Sequence, residues 1–188
     1  MAHPKKSRSA DRLEHDARLE LIDRFYTALA QGDAEAMAAC YHKQVHFSDP
    51  VFDLHGRAAG EMWRLLCSRG RDLRVSHDKP RVEGGVVRVR WQARYAFSGT
   101  GRKVHNVIEA RFQFDNGLIV RHVDRFNFWR WSRQALGPIG WLLGWSGMLR
   151  NKVRRKAAKG LAEFSAGPAR SDRHGVRERD VQEGWRQQ

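Results

Sequence analysis

The amino-acid sequence predicts an α+β fold, with helices first, an antiparallel sheet after them and a helical extension at the end. Two observations predict it. Apolar residues recur at helical spacing through the first third of the chain, and from about residue 73 their period changes from 3.6 to two. A length of 188 residues fits one domain with tails.

Leu13, Ala17, Leu21, Ile22, Phe25, Ala28 and Leu29 form the stripe of a first helix that stops at Gly32. Asp33 then caps a short second helix carrying Ala34, Met37, Ala38 and Tyr41 on one side. Residues 45–47 predict a short strand ended by Asp49-Pro50. After Gly56 a third helix is expected over roughly 57–68, with Met62, Leu65 and Leu66 inward. Strand pieces at 73–76 and 80–83 and a Gly84-Gly85 turn lead into a long strand. There Val87, Val89, Trp91, Ala93, Tyr95 and Phe97 alternate with Arg88, Arg90, Gln92 and Arg94. Beyond the 98–101 turn, a second long strand puts Val104, Asn106, Ile108, Ala110, Phe112 and Phe114 on one face.

Asp115-Asn116-Gly117 reads as a three-residue hairpin loop pairing Phe114 with Leu118, so that Leu118, Val120, His122, Asp124, Phe126 and Phe128 face inward. A two-residue Asn116-Gly117 turn would instead bury Arg121 and Arg125, which makes it the poorer register.

Four segments are expected: a disordered basic N-terminus at 1–10, a folded domain at 11–128, a Trp-rich basic strap and amphipathic helix at 129–164, and a disordered tail at 165–188. The apolar part of the strap is broken by glycines and falls short of the ~20 residues that a spanning helix needs. Over 151–164, Val153, Ala157, Leu161 and Phe164 form one stripe, ringed by Arg154, Arg155, Lys156 and Lys159. Net charge is +14, and from Arg125 to Ala162 there is no Asp or Glu against nine Lys or Arg. An acidic neighbour follows: anionic lipid, an acidic protein or, ranked last, nucleic acid. Cys40 and Cys67 have no paired spacing, and no apolar run follows the basic N-terminus, so reduced thiols and a cytoplasmic location are expected.

Three local runs carry a family resemblance: Phe25-Tyr26-Thr27-Ala28-Leu29-Ala30-Gln31-Gly32-Asp33, then Val45-His46-Phe47-Ser48-Asp49-Pro50-Val51, and residues 117–126 around His122 and Asp124. With the order of elements, they make roughly 19–128 resemble the nuclear transport factor 2-like superfamily, in its SnoaL-like and ketosteroid-isomerase-like branch. The resemblance implies a cone of three N-terminal helices packed on a curved antiparallel sheet, enclosing an apolar pocket. It also implies a small apolar ligand, no cofactor and a homodimer formed across the sheet.

Ketosteroid isomerase pairs an Asp base with a Tyr and a protonated Asp. The Asp-Pro-Val run places Asp49 on that base, but Phe25 stands where the Tyr would and Ala110 where the second Asp would. Steroid isomerisation is therefore not implied. Alignment to the limonene-epoxide-hydrolase branch puts Asp124 on an acid or base position, without that family's Arg-x-Asp pair in 87–97.

The candidate catalytic residues are Asp49, His122 and Asp124. Desolvation at a pocket rim would bring Asp49 toward the range of a useful base; the alternative is a turn Asp before Pro. His122 and Asp124 share a strand face, as a relay with Asp49 or as structural groups bonded to Asn106, Tyr95 or helix backbone. Tyr26, Trp63, Trp91, Tyr95, Asn106, Ala110, Phe112 and Phe126 are expected to line the pocket, although Tyr26 lies about 100° round the helix from Phe25. His42 and His46 straddle a helix–strand junction with no third ligand, so no metal is expected. The strap either covers the cone mouth or builds a dimer contact, lies on an anionic membrane, or meets nucleic acid. Two functions stay open. One is a cofactor-free isomerase, cyclase or hydrolase of a small apolar substrate. The other is a non-catalytic module for a lipid-like ligand, peripheral to an anionic membrane or an acidic partner.

Overall fold

The computed structural model describes residues 8–70 and 72–167. Of the tails expected at 1–10 and 165–188, residues 1–7 and 168–188 lie outside the described residues, while Ser165 and Ala166 end a helix. Helix α1 spans Arg8–Gln31, so it begins earlier than the predicted disordered segment allows, and Leu13 is exposed on its first turns. Gly32, at φ 71°, breaks it in the left-handed conformation that glycine adopts without strain. Asp33 accepts a hydrogen bond from the Ala36 N–H and caps α2, Ala34–Ala39.

Tyr41 does not belong to α2. It opens strand β1, Tyr41–Ser48, which pairs antiparallel with the short β2, Asp53–His55. Helix α3, Arg57–Arg69, buries Met62 and Leu65 as expected, whereas Leu66 is exposed. Strands β3 (Arg74–His77), β4 (Arg81–Glu83), β5 (Val86–Ala96), β6 (Lys103–Asp115) and β7 (Leu118–Arg125) complete one sheet. Its order is β2-β1-β7-β6-β5-β3, with β4 also on β5; every pairing is antiparallel except β1 with β7. This curved sheet wraps α1 and α3 and gives the expected cone.

The outer face of the sheet satisfies part of its own charge. Arg90 lies 3.6 Å from Glu109, its register partner, and Arg88 lies 3.0 Å from Glu83. Glu109 thus has a partner within the chain.

The β6–β7 hairpin corrects one expectation and keeps its consequence. The turn is the two-residue one, with Asn116 at φ 49° and Gly117 at φ 76° joining Asp115 to Leu118. Phe114 then pairs with Ile119, but Gln113 pairs with Arg121. Val120 is therefore an extra residue, a bulge that shifts the strand by one. Ile119 points inward instead of Leu118 and Val120, and beyond the bulge His122 and Asp124 are buried while Arg121 and Arg125 reach solvent. The bulge removes the buried arginines that counted against this turn.

The strap is three helices: α4 (Phe128–Leu136), α5 (Pro138–Leu143) and α6 (Gly147–Ala166). Phe128 is thus helical, not the last inward residue of β7. Asn127 caps α4 on the Arg130 N–H, and Ser146 caps α6 on the Leu149 N–H. Phe128, Trp131 and Ala135 of α4 pack with Val104, while Val51, Tyr95, Phe97 and Phe126 surround them. Trp131 donates to the Tyr95 hydroxyl at 2.9 Å, and Arg154 of α6 donates to the Pro50 carbonyl at 2.9 Å. The strap lies across this end of the cone.

Candidate functional site

Strand β1 runs parallel to β7, which sets Phe47 beside His122 and brings Tyr41 into the interior at the start of the same strand. From α3, Trp63 reaches inward one helical turn on from the buried Ala59. These elements assemble a buried polar line. The Trp63 indole N–H donates to Tyr41 Oη at 2.8 Å, Tyr41 Oη lies 2.8 Å from His122 Nδ1, and His122 Nε2 lies 3.0 Å from Asp124 Oδ1. Trp91 of β5 donates to the same Asp124 oxygen at 3.4 Å.

The line has a direction. Indole can only donate, so Tyr41 accepts from Trp63; an ionised Asp124 can only accept, so Nε2 donates to it and Nδ1 of the neutral ring accepts the Tyr41 proton. The imidazole proton assigned by this network is then on Nε2, aimed at Asp124. Burial pushes the Tyr41 hydroxyl well above the usual tyrosine range, the Trp63 bond opposes this, and the charge of Asp124 adds to it. His122 is fully buried, with Phe112 4.2 Å and Phe47 5.0 Å away between ring centroids. The apolar hollow expected at His122 is therefore filled with rings.

Asp49 sits in the turn between β1 and β2, half-buried. Its Oδ1 accepts from the backbone N–H groups of Val51 and Phe52, each at 2.6 Å. The turn role weighed against catalysis is thus present. Its pKa is nevertheless pushed up to about 7, first by burial and then by the charge of Asp124, against the two backbone bonds and Arg154. Asp49 and Asp124 therefore share one electrostatic environment. Burial also raises the Tyr95 hydroxyl, with a further contribution from Asp49.

Phe25 and Tyr26 are both buried, because α1 lies in the concave side of the sheet and is covered across a broad arc. The helical angle that counted against Tyr26 does not keep it out. Its ring stacks on His77 at 4.9 Å and lies 5.6 Å from Trp91, and its hydroxyl has no hydrogen-bond partner among the described residues. Burial raises its pKa, and the charge of Asp124 adds to the rise. An unpaired buried hydroxyl is costly, about 1–3 kcal/mol.

Of the other expected lining residues, Trp63, Trp91, Ala110 and Phe112 are buried, while Tyr95, Asn106 and Phe126 are half-buried. Ala110 stands directly across from Asp124 in the β6–β7 register. The position without a carboxyl thus has one on the neighbouring strand. The expected partners of His122 and Asp124, Asn106 and Tyr95, are replaced by Tyr41 and Trp91, with Trp63 behind Tyr41. Tyr41 was hidden by its assignment to α2; its odd-number parity with Val45 and Phe47 was the available signal. His46 also gains unforeseen neighbours: its Nε2 lies 2.7 Å from Asp53 Oδ1, and its ring stacks 4.2 Å from that of His55. One ligand atom from each of these three residues lies within 4.8 Å of the others, so together they could hold a metal ion, which His42 and His46 alone could not.

A helix-filled cone of this topology, with a polar cluster on its innermost strands, defines a nuclear transport factor 2-like protein. The SnoaL-like domain family matches residues 22–122, and the chain belongs to that family. Three solved structures show the same fold. A protein named as a SnoaL-like polyketide cyclase, from Jannaschia sp. CCS1, is 14% identical with TM-score 0.58, over 65% of this chain and 94% of that one. A ketosteroid isomerase-like protein from Catenulispora acidiphila DSM 44928, in complex with trimethylamine, is 13% identical with TM-score 0.57, over 65% and 96%. An LEH-like epoxide hydrolase of M. tuberculosis is 16% identical with TM-score 0.54, over 68% and 96%. No curated protein sequence matches the chain.

Proposed function

We propose that the protein is a cofactor-independent acid–base enzyme acting on a small apolar molecule, an isomerase, cyclase or hydrolase in reaction class. Asp49 acts as the base, its raised pKa suiting it to accept a proton near neutral pH. The Tyr26 hydroxyl donates to an oxygen of the substrate, and Asp124, oriented by His122 and Trp91, moves or balances the second proton. The observation that carries this reading is the unpartnered Tyr26 hydroxyl, buried among packed rings within the field of the Asp124 carboxyl. Packing alone would favour a phenylalanine there.

The related folds named as an epoxide hydrolase and a polyketide cyclase support the substrate class without choosing within it. Turnover of a panel of apolar epoxides and enolisable ketones tests the reading. Asp49→Asn should lower turnover by ~10² or more while the protein stays folded. Unchanged turnover in that variant would remove Asp49 from the base role.

The close packing around His122 favours a second reading, a non-catalytic module for a lipid-like ligand in which the polar line is structural. Native mass spectrometry of freshly purified protein separates the two. A co-purified molecule that no panel reaction transforms supports the module.

A further inference from the structure

Nine large apolar side chains are exposed among the described residues, and seven of them fall within 129–148. Helix α5 buries only Gly140 and presents Ile139, Trp141, Leu142 and Leu143 to solvent, against the usual orientation of an apolar helix. Trp145 is 74% and Met148 79% exposed in the turn to α6. These side chains are carried on an ordered frame. Gly140 lets α5 lie against α4, since a Cβ there would collide with the Ser132 carbonyl oxygen, and the Trp145 indole N–H is tied to the Leu142 carbonyl at 2.9 Å.

Beside this patch lies an open groove of about 800 Å³, lined by Arg102, Lys103, Arg130 and Arg133 together with Gln134 and Trp141. Trp141 belongs to both the groove and the patch. No acidic residue occurs from Arg125 to Ala162. Among the described residues, no helix is long and apolar enough to cross a membrane.

We propose that this face docks the protein on an anionic phospholipid bilayer. The apolar side chains of α5 and the α5–α6 turn enter the headgroup–acyl boundary, and the groove takes a headgroup phosphate between its cations. Indole rings beside Lys and Arg suit that boundary. A second copy fits poorly, because it would set the same cations against each other with no carboxylate in the segment to answer them. Nucleic acid would match the cations but leave the apolar side chains in water. The inference is independent of whether the cone turns over a substrate.

Co-sedimentation of the full chain with vesicles tests it, comparing pure phosphatidylcholine with mixtures containing phosphatidylserine, at low and high salt. The protein should bind the anionic vesicles, release as salt rises, and bind neutral ones at least tenfold less. The double variant Trp141→Ser/Trp145→Ser should lose tenfold or more, and Lys103→Glu/Arg130→Glu should lose roughly fivefold or more per charge reversed. Lys79→Glu, outside the strap, should bind within a few-fold of the wild type. All four substituted side chains at the strap and groove are exposed, so thermal melting should be unchanged in these variants. No binding to anionic vesicles, equal loss in Lys79→Glu, or binding indifferent to both double variants would overturn the proposal. A wild-type dimer that the tryptophan variant dissociates would assign the face to self-association instead.

Discussion

The interior of the cone and the outer strap are built from the same residue types and use them in opposite ways. Trp63, Trp91 and Trp131 are buried, and each indole N–H donates to a side-chain oxygen. Trp129, Trp141 and Trp145 are 40–74% exposed. Inside, rings surround a polar line whose members satisfy one another. Outside, apolar side chains stand in water beside cations that have no acid within their segment. An aromatic-rich composition therefore does not by itself mean core. What separates the two uses is whether the backbone carries the ring toward the sheet or away from it.

The largest test of this contrast is truncation on either side of it. Phe112→Ala should cost about 3–5 kcal/mol, since it empties a fully buried position against His122 and Phe25. Trp145→Ala should shift stability by no more than ~0.5 kcal/mol in the same urea unfolding experiment. Equal costs would mean that the strap is packed as tightly as the cone.

Next in size is Tyr41→Phe, which leaves both the Trp63 indole and His122 Nδ1 without a partner. A loss of about 2–3 kcal/mol is expected, with Trp63→Phe and the double variant closing a cycle that shows coupling. Additive losses would break the idea of one connected line. Gly140→Ala should then cost about 1–3 kcal/mol, confined to the strap, because the new methyl meets Ser132 backbone. Hydrogen exchange should speed up in α4 and α5 and stay unchanged in α1 and β6.

A further effect depends on pH. Asp49 is raised from 3.8 to about 7 in the folded chain, so the fold holds a proton there that the unfolded chain releases earlier. Stability is fully present below pH about 4 and falls as pH rises toward 7, by up to roughly 1.4 kcal/mol per pKa unit. Asp49→Asn should flatten that slope in urea titrations at several pH values. Smallest of all, Tyr26→Phe should leave stability within ~1 kcal/mol or raise it, since it removes an unpaired hydroxyl, while any turnover falls. A clear loss of stability would mean that the hydroxyl has a structural partner.

Much of the sheet was legible because alternation in Val87–Phe97 and Val104–Phe114 reports local geometry. The inward placement of His122 and Asp124 was also legible, but by a mistaken route. The three-residue loop expected at 115–117 is a two-residue turn, and the bulge at Val120 restores the phase. A bulge leaves little trace in composition, since its cause is the cost of burying Arg121 and Arg125 on the other register. Tyr41 was missed for a related reason: residue 41 adjoins both a helix end and a strand start, and propensity does not decide between them.

From its own order of residues the chain determined the α+β class, the alternating faces of β5 and β6, the candidate carboxyl at Asp49, and a basic run from Arg125 to Ala162 without acids. Those features depend on neighbours a few residues apart, where periodicity and charge are directly readable. Only the tertiary structure decided that Tyr41, His122, Asp124 and two tryptophans form one line, that Tyr26 is left unpaired, and that α5 turns its apolar side outward. These depend on contacts between elements up to 81 residues apart, set by strand register and packing.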